Sequence, residues 1–228
     1  TTTKAPYIEQ AVANGEMYIE QPYELYSADN HATWQRLYAR MQENWGRYAN
    51  QRFLDGLETL CFEPTHVPRL EDVNRFMAPR TGFRAKAVSG FVPAFDFFDC
   101  LSRREFPTAI AIRDGQSLDY LPEPGIFHDI AGHVPMHTDP AFAETLVRFG
   151  ACAHLAADMV RDMSDREERR RRLSSIQNAL QRFFWFTVEF GLMRDASGQR
   201  VTVYGSGLLS SYGEIVHSVE SPTVQRYP

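Results

Sequence analysis

Three histidines, His128, His133 and His137, fall within ten residues of a proline-framed stretch from Tyr120 to His137. A histidine pair needs one carboxylate to bind a divalent metal while leaving coordination positions open. Downstream, Glu189 is the single acid of Phe184-Trp-Phe-Thr-Val-Glu-Phe-Gly-Leu192. A carboxylate in so apolar a run must be paired or lose its charge, because burying it alone costs several kcal/mol. Two imidazoles and one carboxylate suit non-haem iron(II) and oxygen chemistry. Taken alone, the residues also fit a salt-bridged Glu189 and two core or capping histidines. His128 and His133 are five apart. On an ideal helix that separates them by about 140°, against about 40° for a four-residue spacing. A shared metal therefore requires an ion off the side of the helix, or a helix distorted near Gly132.

The elements that must hold these residues read as mainly α with a few short strands, an α+β class. With 228 residues, 43% of them hydrophobic, and no linker or repeat, one domain is the simpler reading. Residues 1–28 read as an N-terminal arm and 29–228 as a single catalytic domain. Asp29 or Asn30 is expected to cap a helix carrying Trp34, Leu37, Tyr38, Met41, Trp45 and Tyr48 at helical spacing. Further helices carry Phe53, Leu54, Leu57 and Leu60, then Leu70, Val73 and Met77 with a stop at Pro79. Phe95–Phe98 predicts a short helix, 106–113 a strand and 201–204 another. Asp139-Pro140 opens a helix with proline at its first position, and Ser164 to Glu167 reads as the capping box of the helix leading to Glu189.

A net charge of −5 argues against a nucleic-acid or anionic-membrane surface. The run Arg169–Arg172 is offset by Asp165, Glu167 and Glu168 at helical spacing, which makes it a solvated face. No apolar run spans a membrane, and the first residues have no signal-peptide character. Cys61, Cys100 and Cys152 lack paired spacing and read as buried, reduced thiols of a cytoplasmic protein.

Three motifs in order resemble the catalytic domain of the pterin-dependent aromatic amino acid hydroxylases, closest to the bacterial phenylalanine hydroxylases. They are Leu118-Asp-Tyr-Leu-Pro-Glu-Pro with His128-Asp-Ile-Ala-Gly-His133-Val-Pro, then Trp185-Phe-Thr-Val-Glu189-Phe-Gly-Leu, then Tyr204-Gly-Ser-Gly-Leu-Leu-Ser210-Ser211. The resemblance spans roughly residues 30 to 220 and includes Pro79-Arg-Thr-Gly-Phe and Phe106-Pro with Arg113. It implies His128, His133 and Glu189 as catalytic iron ligands. Arg113 would take the substrate carboxylate, for which a planar guanidinium is suited. Ser210 would support that grip or hold a ligand histidine, while Leu121, Pro124, Trp185 and Phe190 would belong to the substrate pocket. Phe97 would stack on the pterin, the Gly90-Phe91-Val92 turn would hold it, and Asp129 would reach it through water.

The implied reaction is ring hydroxylation of L-phenylalanine to L-tyrosine with Fe(II), a tetrahydropterin co-substrate and O2. Hydroxylation of phenylalanine at ring position 3, or of tryptophan at position 5, is the alternative. A zinc hydrolase with Glu123 or Asp129 as base, or a metal-stabilised helical protein without catalysis, is a more distant one. Gly125 stands where many members carry Asp, and Phe184 where Tyr is common. Against the family pattern the chain ends early at Pro228, with no regulatory domain before it or tetramerisation helix after it, so a monomer is expected.

Overall fold

The computed structural model describes residues 5–113, 115–116, 118 and 125–227. Helix α1 (Pro6–Ala13) starts with proline at its first position and buries Ile8 and Ala11. Helix α2 (Ala28–Tyr48) is capped by Ser27, not by Asp29 or Asn30. The Ser27 hydroxyl accepts the Asn30 N–H while the Asn30 side chain accepts the Ser27 N–H, a reciprocal capping box. Its stripe from Trp34 to Tyr48 is buried as the spacing predicts. Helix α3 (Gln51–Leu60) is capped by Asn50. Helix α4 (Leu70–Thr81) runs through Pro79 and ends two residues later at Thr81, before left-handed Gly82. So late in the helix, proline sacrifices one hydrogen bond of a turn that is already ending.

Strand β1 (Arg84–Val88) crosses over through helix α5 (Ala94–Ser102) to the parallel strand β2 (Glu105–Ala109), with Ala85 paired to Phe106. This strand is shorter than the span 106–113 read from sequence. A π-helical segment follows at Phe127–His133 and passes into α6 (Val134–His137). Helix α7 (Pro140–Arg161) is capped by Asp139, whose carboxylate accepts the Phe142 N–H. Helix α8 (Arg166–Phe184) is capped by Asp165 instead of Ser164, with both the Glu167 and Glu168 N–H groups donating to it. It leads into a second π segment, Trp185–Glu189. Strands β3 (Leu192–Arg194) and β4 (Val201–Val203) form an antiparallel hairpin before helices α9 (Ser206–Leu209) and α10 (Tyr212–Glu220).

Helix α7 packs on α5 and α8, α3 on α6, α2 on α10, and α9 on the first π segment. One core runs through them, centred on Trp34, Trp45, Phe53, Phe83, Phe106 and Phe127. The Trp45 indole N–H donates to the Leu209 carbonyl at 2.7 Å, which fixes α2 to the end of α9. Among the described residues no helix is long and apolar enough to cross a membrane. Of the cysteines only Cys100 is buried; Cys61 and Cys152 are exposed, so the expectation of three buried thiols fails. Cys61 lies just past the end of α3, and Cys152 falls on a part of α7 facing water.

Candidate metal centre

The two π segments solve the spacing problem posed by the sequence. In a π turn the backbone bonds i to i+5, so residues five apart come to one side. His128 and His133 lie at that interval in the first segment, and their Nε2 atoms approach to 3.2 Å. In the second segment the Phe190 N–H donates to the Trp185 carbonyl, five residues back, and Glu189 turns inward. Its Oε1 lies 3.0 Å from His133 Nε2 and its Oε2 3.7 Å from His128 Nε2.

Helix α9 locks this arrangement. The Ser210 hydroxyl donates to the Ser206 carbonyl at 2.8 Å, so its oxygen accepts the Nδ1–H of His128, also at 2.8 Å. That tautomer leaves the His128 Nε2 lone pair facing the carboxylate. The Ser206 hydroxyl donates to Glu189 Oε2 at 2.9 Å. Two glycines permit the close approach. A Cβ on Gly205 would stand 2.5 Å from the Glu189 carbonyl oxygen, and one on Gly132 would stand 2.9 Å from the Ser206 carbonyl oxygen.

The electrostatics follow from burial and from these contacts. Burial and the neighbouring His133 push His128 down to about 4. Burial also opposes charge on His133, but the Glu189 carboxylate outweighs it and the net shift is upward. For Glu189, burial is overcome by His133, His128 and Ser206, and the carboxyl falls to about 2. A charged carboxylate facing an imidazole nitrogen that draws a proton, beside a second fixed lone pair, is a donor set that a divalent cation satisfies better than a proton does.

Asp129 adds a nearby carboxylate. His128, Asp129 and His133 bring donor atoms within 4.8 Å of one another. Its Oδ2 is engaged by the Ala109 N–H at 2.6 Å, and its Oδ1 lies 4.0 Å from His128 Nε2. Burial raises it to about 7. Glu189 is closer to both imidazoles and fits the metal better; Asp129 stands beside it.

A cavity of about 810 Å³ opens on the three side chains. Gly90, Phe91, Val92, Phe97 and Asp129 all line it together with His128, His133 and Glu189. Arg113 does not line it, yet is near enough to His128 to help depress its pKa. The Arg113 guanidinium donates to the Leu118 carbonyl at 3.2 Å. Trp185 and Phe190 pack together outside the cavity lining, with ring centroids 4.7 Å apart. Ser210 is spent on His128. Leu121 and Pro124 lie outside the described residues.

The sequence reading missed Ser206, Ala109 and α1, whose Ile8, Glu9, Val12 and Ala13 wall the cavity. The Gly-Ser-Gly stretch signalled a turn but not its hydroxyl's target. Pro6 followed by Ile8, Ala11 and Val12 at helical spacing was the available sign of α1.

The family model for biopterin-dependent aromatic amino acid hydroxylases matches residues 17–227. The chain belongs to that family. A phenylalanine-4-hydroxylase from Ralstonia nicotianae is 38% identical over 208 residues, covering 91% of this chain and 61% of that protein. The chain thus spans less than two thirds of that relative. A phenylalanine hydroxylase of Chromobacterium violaceum, solved with iron(III) and 7,8-dihydrobiopterin, matches with TM-score 0.76 at 34% identity, over 91% of this chain and 69% of that one. The same enzyme with iron and phenylalanine matches with TM-score 0.78 at 31% identity, over 96% and 75%. The fold class read from sequence, mainly α with a few short strands, agrees with these neighbours.

Proposed function

We propose that this hydroxylase converts L-phenylalanine to L-tyrosine using iron(II), a tetrahydropterin and O2. The observation that carries the reading is the convergence of His128, His133 and Glu189 on a cavity shared with Phe97 and the Gly90–Val92 turn. His128, His133 and Glu189 would hold the iron, with Ser210 and Ser206 fixing the donors from behind. Iron and pterin together supply the two-electron activation of oxygen.

The chain's own part is binding, orientation and exclusion of water. Phe97 would stack on the pteridine, and the Gly90-Phe91-Val92 backbone would hold its edge. Asp129, with Oδ2 fixed by Ala109, keeps Oδ1 toward the cavity to reach the pterin through water. Arg113 would take the substrate carboxylate, while Trp185 and Phe190, with Leu121 and Pro124, would wall its ring. Phe106, Pro107 and Ile110 make the lining apolar, which limits competing water. The reading includes a cytoplasmic enzyme, for which the free thiols speak, whose catalytic unit is residues 29–228 with α1 of the N-terminal arm completing the cavity wall.

Oxygen uptake with product analysis tests it, using ferrous-loaded protein, a tetrahydropterin, and phenylalanine, tyrosine or tryptophan in turn. Pterin-dependent uptake with tyrosine formed from phenylalanine is expected. A 3-hydroxylated phenylalanine or 5-hydroxytryptophan would move the reaction to another ring or position. No pterin-dependent uptake with any of the three, in protein shown to hold iron, would overturn the reading.

A further inference from the structure

The cavity has one wall that no motif supplies. Helix α1 contributes Ile8, Glu9, Val12 and Ala13, opposite a lining of Phe91, Val92, Phe97, Phe106 and the metal-binding side chains. The chain just after it is tied to Ser89, the residue before the Gly90–Val92 turn. The Ser89 N–H donates to the Met17 carbonyl at 3.1 Å and the Ser89 hydroxyl to the Glu16 carbonyl. A Cβ on Gly90 would touch Val12 at 3.5 Å.

Four of these lining residues are also exposed: Phe91 at 93%, Val12 at 57%, Glu9 and Ala13. Residues that line a cavity and face water define its mouth. The mouth therefore has two apolar sides and one carboxylate. Deeper in, the other charged or titratable groups are His128, Asp129, His133 and Glu189, and among the described lining residues there is no lysine or arginine.

We infer that Glu9 selects the co-substrate, admitting pterins with a short uncharged side chain and disfavouring folate-type pterins that carry a p-aminobenzoylglutamate tail. This rests on the pterin reading above. For a pteridine seated by Phe97 and the 90–92 turn, this mouth beside α1 would be the exit for a long substituent. A glutamate tail leaving there would bring two carboxylates past Glu9 with no cation among the described lining residues to receive them, and like charges repel. A hydroxylated alkyl side chain meets Val12 and Phe91 without that repulsion and can donate to Glu9. Discrimination of about tenfold is the expected scale for one such charge near the surface.

The test is equilibrium binding of the unreactive oxidised forms, 7,8-dihydrobiopterin and 7,8-dihydrofolate, to the iron-loaded full chain by fluorescence titration. Wild type, Glu9→Gln and Glu9→Lys are compared, with iron content and circular dichroism checked for each. Wild type is expected to prefer dihydrobiopterin by about tenfold or more. Glu9→Lys should narrow that ratio by about tenfold, and Glu9→Gln by an intermediate factor. A ratio unchanged in both variants, with dihydrobiopterin still bound, would overturn the role of Glu9 alone. Failure of iron-loaded wild type to bind dihydrobiopterin would overturn it together with the pterin reading.

Discussion

Ser210 decides which nitrogen of His128 faces the carboxylate, so under the proposed function it would act on the metal without touching it. Ser210→Ala removes the acceptor of the Nδ1–H and frees the ring to turn or change tautomer. Loss of such a partner weakens metal affinity by about 10- to 100-fold. Iron retention against a chelator measures this, and retention equal to wild type would show that the bond is dispensable. His137 is the opposite case. It is fully buried against Phe83 and Phe106, and neither ring nitrogen has a hydrogen-bond partner among the described residues. His137→Leu should stabilise the fold by about 1–2 kcal/mol, since it removes unsatisfied polar atoms from the interior. The gain depends on pH. Burial holds the folded imidazole well below its ordinary value of 6.5, so on acidification only the unfolded chain takes up the proton. Stability is thus lost as pH falls below 6.5, and the advantage of the variant widens. Urea midpoints of both proteins at pH 7.5 and 5.5 would show it; an equal gap at the two values would contradict it. The convergence of His128, His133 and Glu189 was legible because their types are unusual for their surroundings: Glu189 stands alone in an apolar run. Ser206 was not, because a serine in a glycine-rich turn looks the same whether or not its hydroxyl reaches a carboxylate.

At the scale of elements, the spacing of His128 and His133 already required a departure from the α-helix near Gly132, and the π segment supplies it. The geometry depends on α9 lying against both π segments. Gly132→Ala places a methyl 2.9 Å from the Ser206 carbonyl oxygen and 3.1 Å from Ser210 Cβ. The helix must retreat, and the Ser210–His128 bond is the first contact it stretches. Iron affinity is expected to fall about tenfold or more, with a stability loss of about 1–3 kcal/mol from overpacking. Wild-type iron affinity in this variant would mean that α9 is free to move without consequence. Helix ends were less legible than helix faces. Ser27, Asp29 and Asn30 can all cap, as can Ser164 and Asp165; local chemistry ranks them about equally, and the register of buried residues makes the choice. Pro79 misled for a related reason, since a proline in a final turn reads like a stop.

Across the whole molecule, stability is unevenly spread. Helix α2 buries eight residues, among them Trp34 and Trp45, whereas α8, nearly as long, buries only Phe184. The amides of α8 should therefore exchange with solvent well before those of α2. Adding ferrous iron should slow exchange in Trp185–Glu189, at its C-terminal end, because the ion ties Glu189 to His128 and His133. Exchange mapped by mass spectrometry would read both effects, and equal protection of α8 and α2 in the iron-free protein would refute the first. The membership of α1 in the cavity wall is also a property of the whole chain. Its amphipathic spacing can be read locally, but its place beside the turn after β1 depends on bonds from the Ser89 N–H and hydroxyl to carbonyls some seventy positions earlier. Such pairings leave no periodicity in the sequence.

The half-exposed ring of Trp185 has an optical consequence. Trp34 and Trp45 are sealed in the core at 0% and 2% exposure, while Trp185 is 50% exposed four residues before Glu189. An aqueous quencher such as iodide reaches that indole and leaves the other two emitting. The quenchable fraction of the fluorescence is thus a signal from one end of the metal-binding segment, and it needs no introduced label.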